Sequence, residues 1–139
     1  MLKLMDWNVD QRDRQARASA GECVVANMRE DTDEALVEWA KATGRFVRID
    51  RGTPWSNPFV APADGDRATV LGRFGAETMP GLAQQLPALH GRVLGGWSHP
   101  APCHGDMIAE AVNQDPTPAT PLVERPAAYP QRSVVNSLI

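Results

Sequence analysis

The sequence predicts a small three-layer α/β domain with a short, mainly parallel sheet of about three core strands, followed by an extended Pro-rich C-terminal tail. Three short apolar segments, at residues 22–27, 46–50 and 92–97, have the length and composition of buried strands. Segments with helical periodicity separate them, as in parallel sheets. Five prolines between residues 116 and 130 exclude a packed helix or a central strand from the end of the chain.

In the first part of the chain, two helices alternate with two strands. Residues 9–19 are polar and alternately charged, which favours a helix that packs on the edge of the domain and ends near Gly21. After the first strand, Asp31 is expected to begin a helix, with Glu34 three residues later and an apolar face that ends at Gly44. Because this helix joins the first two strands, the strands are expected to run parallel.

The second part of the chain begins with a loop. Residues 51–59 contain two prolines, which interrupt any regular hydrogen-bond ladder. A helix is predicted over 64–78, weakened by two glycines, and a shorter one follows Pro80. After the third strand, residues 104–113 have the pattern of a final helix.

The length of 139 residues fits one domain, which we divide into an N-terminal helical segment (1–20), an α/β domain (21–113) and the Pro-rich tail (114–139). No apolar run approaches the roughly 20 residues of a membrane span, and residues 1–6 do not resemble a signal peptide. A cytoplasmic location is therefore expected, the host cytoplasm if a phage encodes the protein. The net charge of −3 does not favour nucleic-acid binding, which requires clustered Lys and Arg.

Ligands of open parallel sheets bind beyond the carboxyl ends of the strands, and polar or aromatic residues follow all three predicted strands. The candidate ligand-binding residues are Asn27 and Arg29 after the first strand, Arg51, Trp55 and Asn57 after the second, and Trp97, His99 and Asp106 after the third. Trp55 and Trp97 could form an aromatic slot for a base, with Asn57 at the ring edge and an arginine at a phosphate. Alternatively, both tryptophans pack in the core and Asn57 bonds its own turn.

Cys103 and His104 are the candidate catalytic residues. A thiol at the start of a helix tends toward the thiolate, which is the nucleophilic form. The alternative is a half-buried thiol that caps the helix, with Asp106 stabilising the same helix end. Zinc ligation by Cys103, His99 and His104 lacks the paired C-x-x-C spacing, so we expect neither a metal nor a cofactor.

Over residues 45–113 the chain resembles a domain-of-unknown-function family found in phages and actinobacteria. The resemblance rests on R-x-x-x-W-S-N-P-F from Arg51, on L-x-G-x-x-L from Leu89, and on G-W-S-x-P-x-x-C-H-G-D from Gly96. It implies a small α/β domain and a nucleotide-related role. The family pattern is W-G-N-P-F and C-W-C-x-P-x-x-C-H-G-D, so Ser56 replaces a glycine, while Gly96 and Ser98 replace two cysteines. A three-cysteine metal or redox site is therefore absent, and what the resemblance leaves is a scaffold with a ligand pocket.

The sequence thus predicts a small phage-type protein that binds a nucleotide or a similar phosphorylated ligand at the strand ends. Whether it also catalyses a reaction is left open. The alternative function is that of a non-enzymatic phage accessory protein that binds a host or phage protein, or a second copy of itself, through residues 115–139.

Overall fold

The computed structural model describes residues 7–114 and shows the predicted α/β fold. The helices are α1 (Val9–Ser19), α2 (Glu34–Ala42), α3 (Arg67–Arg73), α4 (Met79–Leu82) and α5 (His104–Gln114), and the strands are β1 (Val24–Asn27), β2 (Phe46–Arg48) and β3 (Val93–Gly96). A π-helical turn (Phe74–Thr78) joins α3 to α4, and a 3₁₀ segment (Ala83–Leu89) follows α4. The predicted tail, apart from Gln114, lies outside the described residues.

The three strands form a parallel sheet in the order β1-β3-β2. Val24 and Phe46 both lie opposite Val93, so β3 pairs with a strand on each side. The predicted parallel direction of β1 and β2 is confirmed, but the two strands do not touch each other. The last strand along the chain lies between them.

Helices cover both faces of the sheet and give the predicted three layers. On one face, α2 packs against β1 and β3 around Leu36, Ala40 and Val93, and α1 packs against β1 and α2. On the other face, the helical run over 67–89 and α5 enclose a core that includes Ile49, Phe74, Leu94 and Ile108. Alternate residues of the strands point to the two faces, as a pleated sheet requires.

The bounds of α2, α3 and α4 differ from the sequence prediction. α2 begins at Glu34 rather than Asp31, which has a positive φ of 62°, although the Glu34 carboxylate accepts the Asp31 backbone N–H at 3.1 Å. α3 begins only after Asp66, whose side chain accepts the Thr69 N–H at 2.8 Å as the N-cap. Its regular turns give way to the π-helical turn before Pro80, because proline has no N–H to donate to the preceding turn.

Candidate functional site

A pocket of about 260 Å³ lies at the carboxyl ends of β2 and β3, beneath the start of α5. We call it the strand-end pocket, and its eight lining residues are Asp50, Arg51, Asn57, Gly96, Trp97, Ser98, Cys103 and His104. Its position agrees with the general rule for ligand sites in parallel sheets. The chain reaches it from three segments: the loop after β2, the end of β3, and the first residues of α5.

Five of the predicted site residues line this pocket together: Arg51, Asn57, Trp97, Cys103 and His104. The others lie elsewhere. Asn27 lines a groove on the α2 side of Trp97, while His99 and Asp106 line a groove between α1 and α5. Trp55 packs against the core cluster of Ile49 and Phe74, and Arg29 is exposed.

Trp97 is held in a fixed position although 53% of its surface is exposed. Its indole Nε1–H donates to Asp50 Oδ2 at 2.9 Å, and Arg48 Nε donates to the other oxygen of the same carboxylate at 3.1 Å. The hydrogen bonds from Arg48 hold the pKa of Asp50 below its ordinary value, with a further contribution from the Trp97 N–H. The carboxylate therefore stays ionised and anchors the ring.

Asn57 supports the loop that borders the pocket. Its Oδ1 accepts the Phe59 N–H at 3.0 Å, and its Nδ2 donates to the Val70 carbonyl at 3.2 Å. These bonds match the alternative in which Asn57 stabilises its own turn, and they also tie the loop to α3. The Arg73 guanidinium stacks on the Phe59 ring, 4.0 Å from its centroid, and completes this attachment.

Cys103 lies immediately before α5, and its surroundings disfavour the thiolate. Burial and the negative charge of Asp106 raise the pKa of Cys103, although the backbone N–H groups of Gly105 and Asp106 hydrogen-bond to its sulfur. Asp106 Oδ2 accepts the Cys103 backbone N–H at 3.0 Å. The thiol therefore stays protonated at neutral pH and caps the helix.

His104 is directed toward the sheet. Its Nε2–H donates to the Ile49 carbonyl at 2.8 Å, and its ring packs edge-on against Phe74 with centroids 5.1 Å apart. Burial lowers the pKa of His104 and outweighs the hydrogen bonds to the carbonyls of Ile49 and Trp55, which act to raise it. The imidazole is thus neutral and engaged by the backbone, so the catalytic role predicted for Cys103 and His104 rests on the sequence argument alone.

Metal ligation has no support in the described part of the chain. Within residues 7–114, no three His, Cys, Asp or Glu side chains are grouped so that they could hold a metal ion. His99 instead lies beside Asp10, with 3.8 Å between Nε2 and Oδ2, and its carbonyl accepts the Asn27 side-chain N–H at 2.6 Å.

Within residues 7–114, no helix combines the length and the apolar character needed to cross a membrane.

One comparison with known proteins shows the family of this chain. A family model described as Domain of unknown function (DUF4326) matches residues 36–114, which is more than half of the chain. The chain belongs to this family. All residues of the strand-end pocket lie within the DUF4326 match, whereas α1 and β1 lie before it.

A phage protein is also similar to this DUF4326 chain. It is the uncharacterized 12.4 kDa protein in the nrdA-td intergenic region of Enterobacteria phage T4, 35% identical over 74 residues, which span 49% of this chain and 68% of the relative. No solved structure matches. The predicted membership of a phage-type family of unknown function is confirmed.

Sequence reasoning missed two groups of residues that shape the site. Asp50, Gly96 and Ser98 line the pocket but were not among the predicted ligand-binding residues. Arg67 Nη1 donates to the Pro102 carbonyl at 2.8 Å and fastens the loop before Cys103 to α3. The position of Asp50 at the end of a predicted strand was a usable signal, whereas the Arg67 bond spans 35 residues and no local pattern indicates it.

Proposed function

We propose that this DUF4326 protein binds a nucleotide or a similar phosphorylated ligand in the strand-end pocket. The supporting observation is the combination of the Trp97 indole, half exposed and fixed by Asp50, with the Arg51 side chain in one pocket. The flat face of an indole suits a base or a sugar, and a guanidinium suits phosphate oxygens.

Arg51 is available for such a contact. Its side chain is exposed, and among residues 7–114 its guanidinium has no hydrogen-bond or ion-pair partner. The neighbouring Arg48, in contrast, is engaged by Asp50. The N-terminal end of α5 is not available for an anion, because Cys103 and Asp106 already cap it. In this proposal Arg51 therefore provides the contact with the phosphate.

The volume of the pocket limits what it holds. About 260 Å³ is slightly below the range of roughly 300–1,000 Å³ that is usual for pockets enclosing whole small ligands. The pocket is therefore suited to the phosphate-bearing end of a nucleotide, with the rest of the ligand extending past Trp97.

In this proposal the motif residues frame the pocket. Asn57 holds the loop after β2, and Cys103, His104 and Asp106 fix the start of α5, so the side chains left for the ligand are Arg51, Trp97 and Ser98. Gly96 and Ser98 line the same pocket at the positions where the family pattern has cysteines. The change from cysteines favours ligand binding over metal or redox chemistry at this site.

The experiment compares nucleotide affinities of the full chain and two pocket variants by calorimetry. Arg51→Gln is expected to weaken nucleoside monophosphate binding at least tenfold, about 1.4 kcal/mol, because it removes the phosphate contact. Gly96→Ala is expected to weaken binding while the fold persists, since the added Cβ narrows the pocket and meets only Ile49, at 3.7 Å or more. Arg12→Gln, at an exposed position of α1 outside the pocket, is the charge-matched control.

Two results would refute the proposal. One is the absence of binding by any nucleotide in a broad panel, including no rise in the unfolding temperature at saturating ligand. The other is equal affinity of the Arg51→Gln and Arg12→Gln variants for the same nucleotide. The protein-interaction role predicted for residues 115–139 concerns a segment outside the described residues and stays a prediction.

A further inference from the structure

A second cavity adjoins the strand-end pocket on the other side of Trp97. This α2 groove has a volume of about 410 Å³, and its apolar lining is formed by Met28, Val37, Phe46 and Trp97. Trp97 belongs to both cavities, so they meet at the indole. The Arg48–Asp50 pair forms the same boundary, with Arg48 on the groove side and Asp50 on the pocket side.

The floor of the groove is formed by side chains that lie directly on the backbone of β3. A Cβ on Gly95 would stand 2.4 Å from Cζ of Phe46 and 3.0 Å from the sulfur of Met28. Only glycine allows the ring and the thioether to approach the strand this closely. The result is an apolar surface beside the half-exposed face of Trp97, with the dimensions of a small-ligand site.

The rim of the groove offers hydrogen-bond acceptors. Its cations are already engaged: Lys41 lies 3.5 Å from the Glu38 carboxylate and above the Phe46 ring, and Arg48 is bonded to Asp50. Glu30 also lines the groove, and its exposed carboxylate makes no hydrogen bond or ion pair with any residue of the described range 7–114. The local field is therefore negative and favours a ligand that presents N–H donors.

We propose that the α2 groove binds the ring of an amino-bearing nucleobase, namely guanine, adenine or cytosine. The ring packs on Trp97 and Phe46, and its amino group donates to a carboxylate of the rim. Thymine and uracil fit poorly, because their two carbonyl oxygens face the same negative charge. This inference rests on the proposed function, in which Arg51 holds the phosphate of the same ligand.

The test separates the two ends of the ligand. Guanosine, adenosine, cytidine and thymidine, none of which carries a phosphate, probe the groove, while inorganic pyrophosphate probes the Arg51 pocket. By calorimetry, the best amino-bearing nucleoside is expected to bind at least tenfold more tightly than thymidine. Three acids line the groove, and Glu34 is kept because its carboxylate accepts the Asp31 N–H. Replacing the other two (Glu30→Gln with Glu38→Gln) is expected to reduce this preference at least fivefold and to leave pyrophosphate binding unchanged.

Glu110→Gln is the matched control, because Glu110 is exposed on α5 and lines the groove between α1 and α5. Equal binding of all nucleosides, or none, together with pyrophosphate binding that depends on Arg51, would overturn the groove proposal and spare the proposed function. If the unchanged protein binds neither nucleotides nor pyrophosphate, the proposed function itself is refuted. A base preference that survives in the double variant would also overturn the role of the carboxylates.

A final comparison identifies the source of the base. A free nucleoside monophosphate is titrated beside a single-stranded trinucleotide that contains the same base. Equal or weaker binding of the trinucleotide supports a free nucleotide as the ligand. Much tighter binding of the trinucleotide supports the same base chemistry within a nucleic acid.

Discussion

Residues Cys103 to Asp106 form the part of the sequence richest in reactive groups, yet their contacts are those of a joint between helix and sheet. Cys103 and Asp106 cap α5, and His104 bonds the Ile49 carbonyl. Gly105 lets the first turn approach the sheet, since a Cβ there would lie 2.6 Å from Cδ1 of Ile49. The capping by Cys103 and Asp106 is the alternative that the local sequence offered, whereas the contacts of His104 and Gly105 with Ile49 join distant segments and could not be read from it.

The thiol chemistry of Cys103 follows from Asp106. Burial and the Asp106 charge raise the pKa of Cys103, so its alkylation at pH 7 should be slower than that of a free cysteine. Asp106→Asn keeps an acceptor for the Cys103 N–H and removes the charge, so it should lower this pKa and speed alkylation several-fold. The rate with iodoacetamide, measured against pH, checks this.

Cys23 provides an internal comparison for the same experiment. It is fully buried, and burial raises its pKa to about 12, so it should react only when the protein unfolds. A Cys103→Ser variant, in which Cys23 is the remaining thiol, gives the alkylation rate of Cys23 alone. If Cys23 and Cys103 react at the same rate in the native protein, Cys103 has no access to solvent through the pocket.

At the scale of elements, polar side chains cap the outer edge of β1. Asn113 from α5 bonds both the N–H and the carbonyl of Cys23, at 2.8 and 2.9 Å. Arg14 from α1 donates to the Val25 carbonyl, and Asp33 accepts the Asn27 N–H, each at 2.8 Å. These bonds replace part of a missing neighbouring strand and protect the edge from pairing with another chain.

Arg14 and Asp33 form a buried ion pair at this edge. Both guanidinium nitrogens lie 2.9 Å from the carboxylate oxygens, and 4% of Arg14 and 6% of Asp33 is exposed. Arg14→Met should lower the free energy of unfolding by about 3–5 kcal/mol, because it leaves a buried carboxylate without its counter-charge. Adding Asp33→Asn should restore much of the loss. Denaturant unfolding of the three proteins at pH 7 measures both effects.

The same pair predicts how stability depends on pH. Burial acts to raise the pKa of Asp33, but the hydrogen bonds from Arg14 and from the Asn27 N–H outweigh it and lower the pKa overall. A carboxyl group whose pKa is lower in the folded protein than in the unfolded chain stabilises the fold at pH values above its unfolded-state pKa of about 3.9. This contribution should be lost as the pH falls below about 4 through the folded-state pKa. In the Arg14→Met, Asp33→Asn protein this loss should be absent from the pH profile.

Two glycines test how closely the elements pack. Gly105→Ala should destabilise the protein, because the Cβ would collide with Ile49, which is completely buried and cannot move away. Gly72→Ala in α3 should stabilise it by about 0.5–1 kcal/mol, because no atom lies within 4 Å of the added Cβ and alanine favours the helix. Thermal unfolding of both variants measures the contrast, and equal shifts would contradict the close approach of α5 to the sheet.

For the whole molecule, hydrophobic periodicity predicted the number, type and direction of the strands and the layers around them. It could not predict that β3 lies between β1 and β2, because strand order depends on the tertiary packing of the helices and not on the periodicity within any one segment. Nor could it predict which side chains attach α1. The helix packs on the edge of the domain as expected, but through Gln11 and Arg14, which are buried and bond to distant segments.

The role of α1 leads to a test of the predicted domain boundary. The sequence separates residues 1–20 from the α/β domain, and the DUF4326 match begins only at residue 36. Yet Gln11 Oε1 accepts the Leu36 N–H at 3.0 Å, and Arg14 supplies the counter-charge of Asp33. Removing residues 1–20 should therefore leave these buried groups without partners and abolish cooperative unfolding of the remaining chain, as followed by circular dichroism.

Complementation distinguishes lost contacts from a general effect of truncation. A synthetic peptide of residues 7–20, added to the truncated chain, should restore a cooperative transition, because α1 docks through side-chain bonds and the packing of Trp7 and Ala18. The same peptide with Arg14→Met and Gln11→Ala should fail, whereas a peptide with Val9→Ala, which changes a side chain that is 87% exposed, should succeed. If the truncated chain unfolds cooperatively with unchanged stability, residues 1–20 are a separate segment, as the sequence predicted.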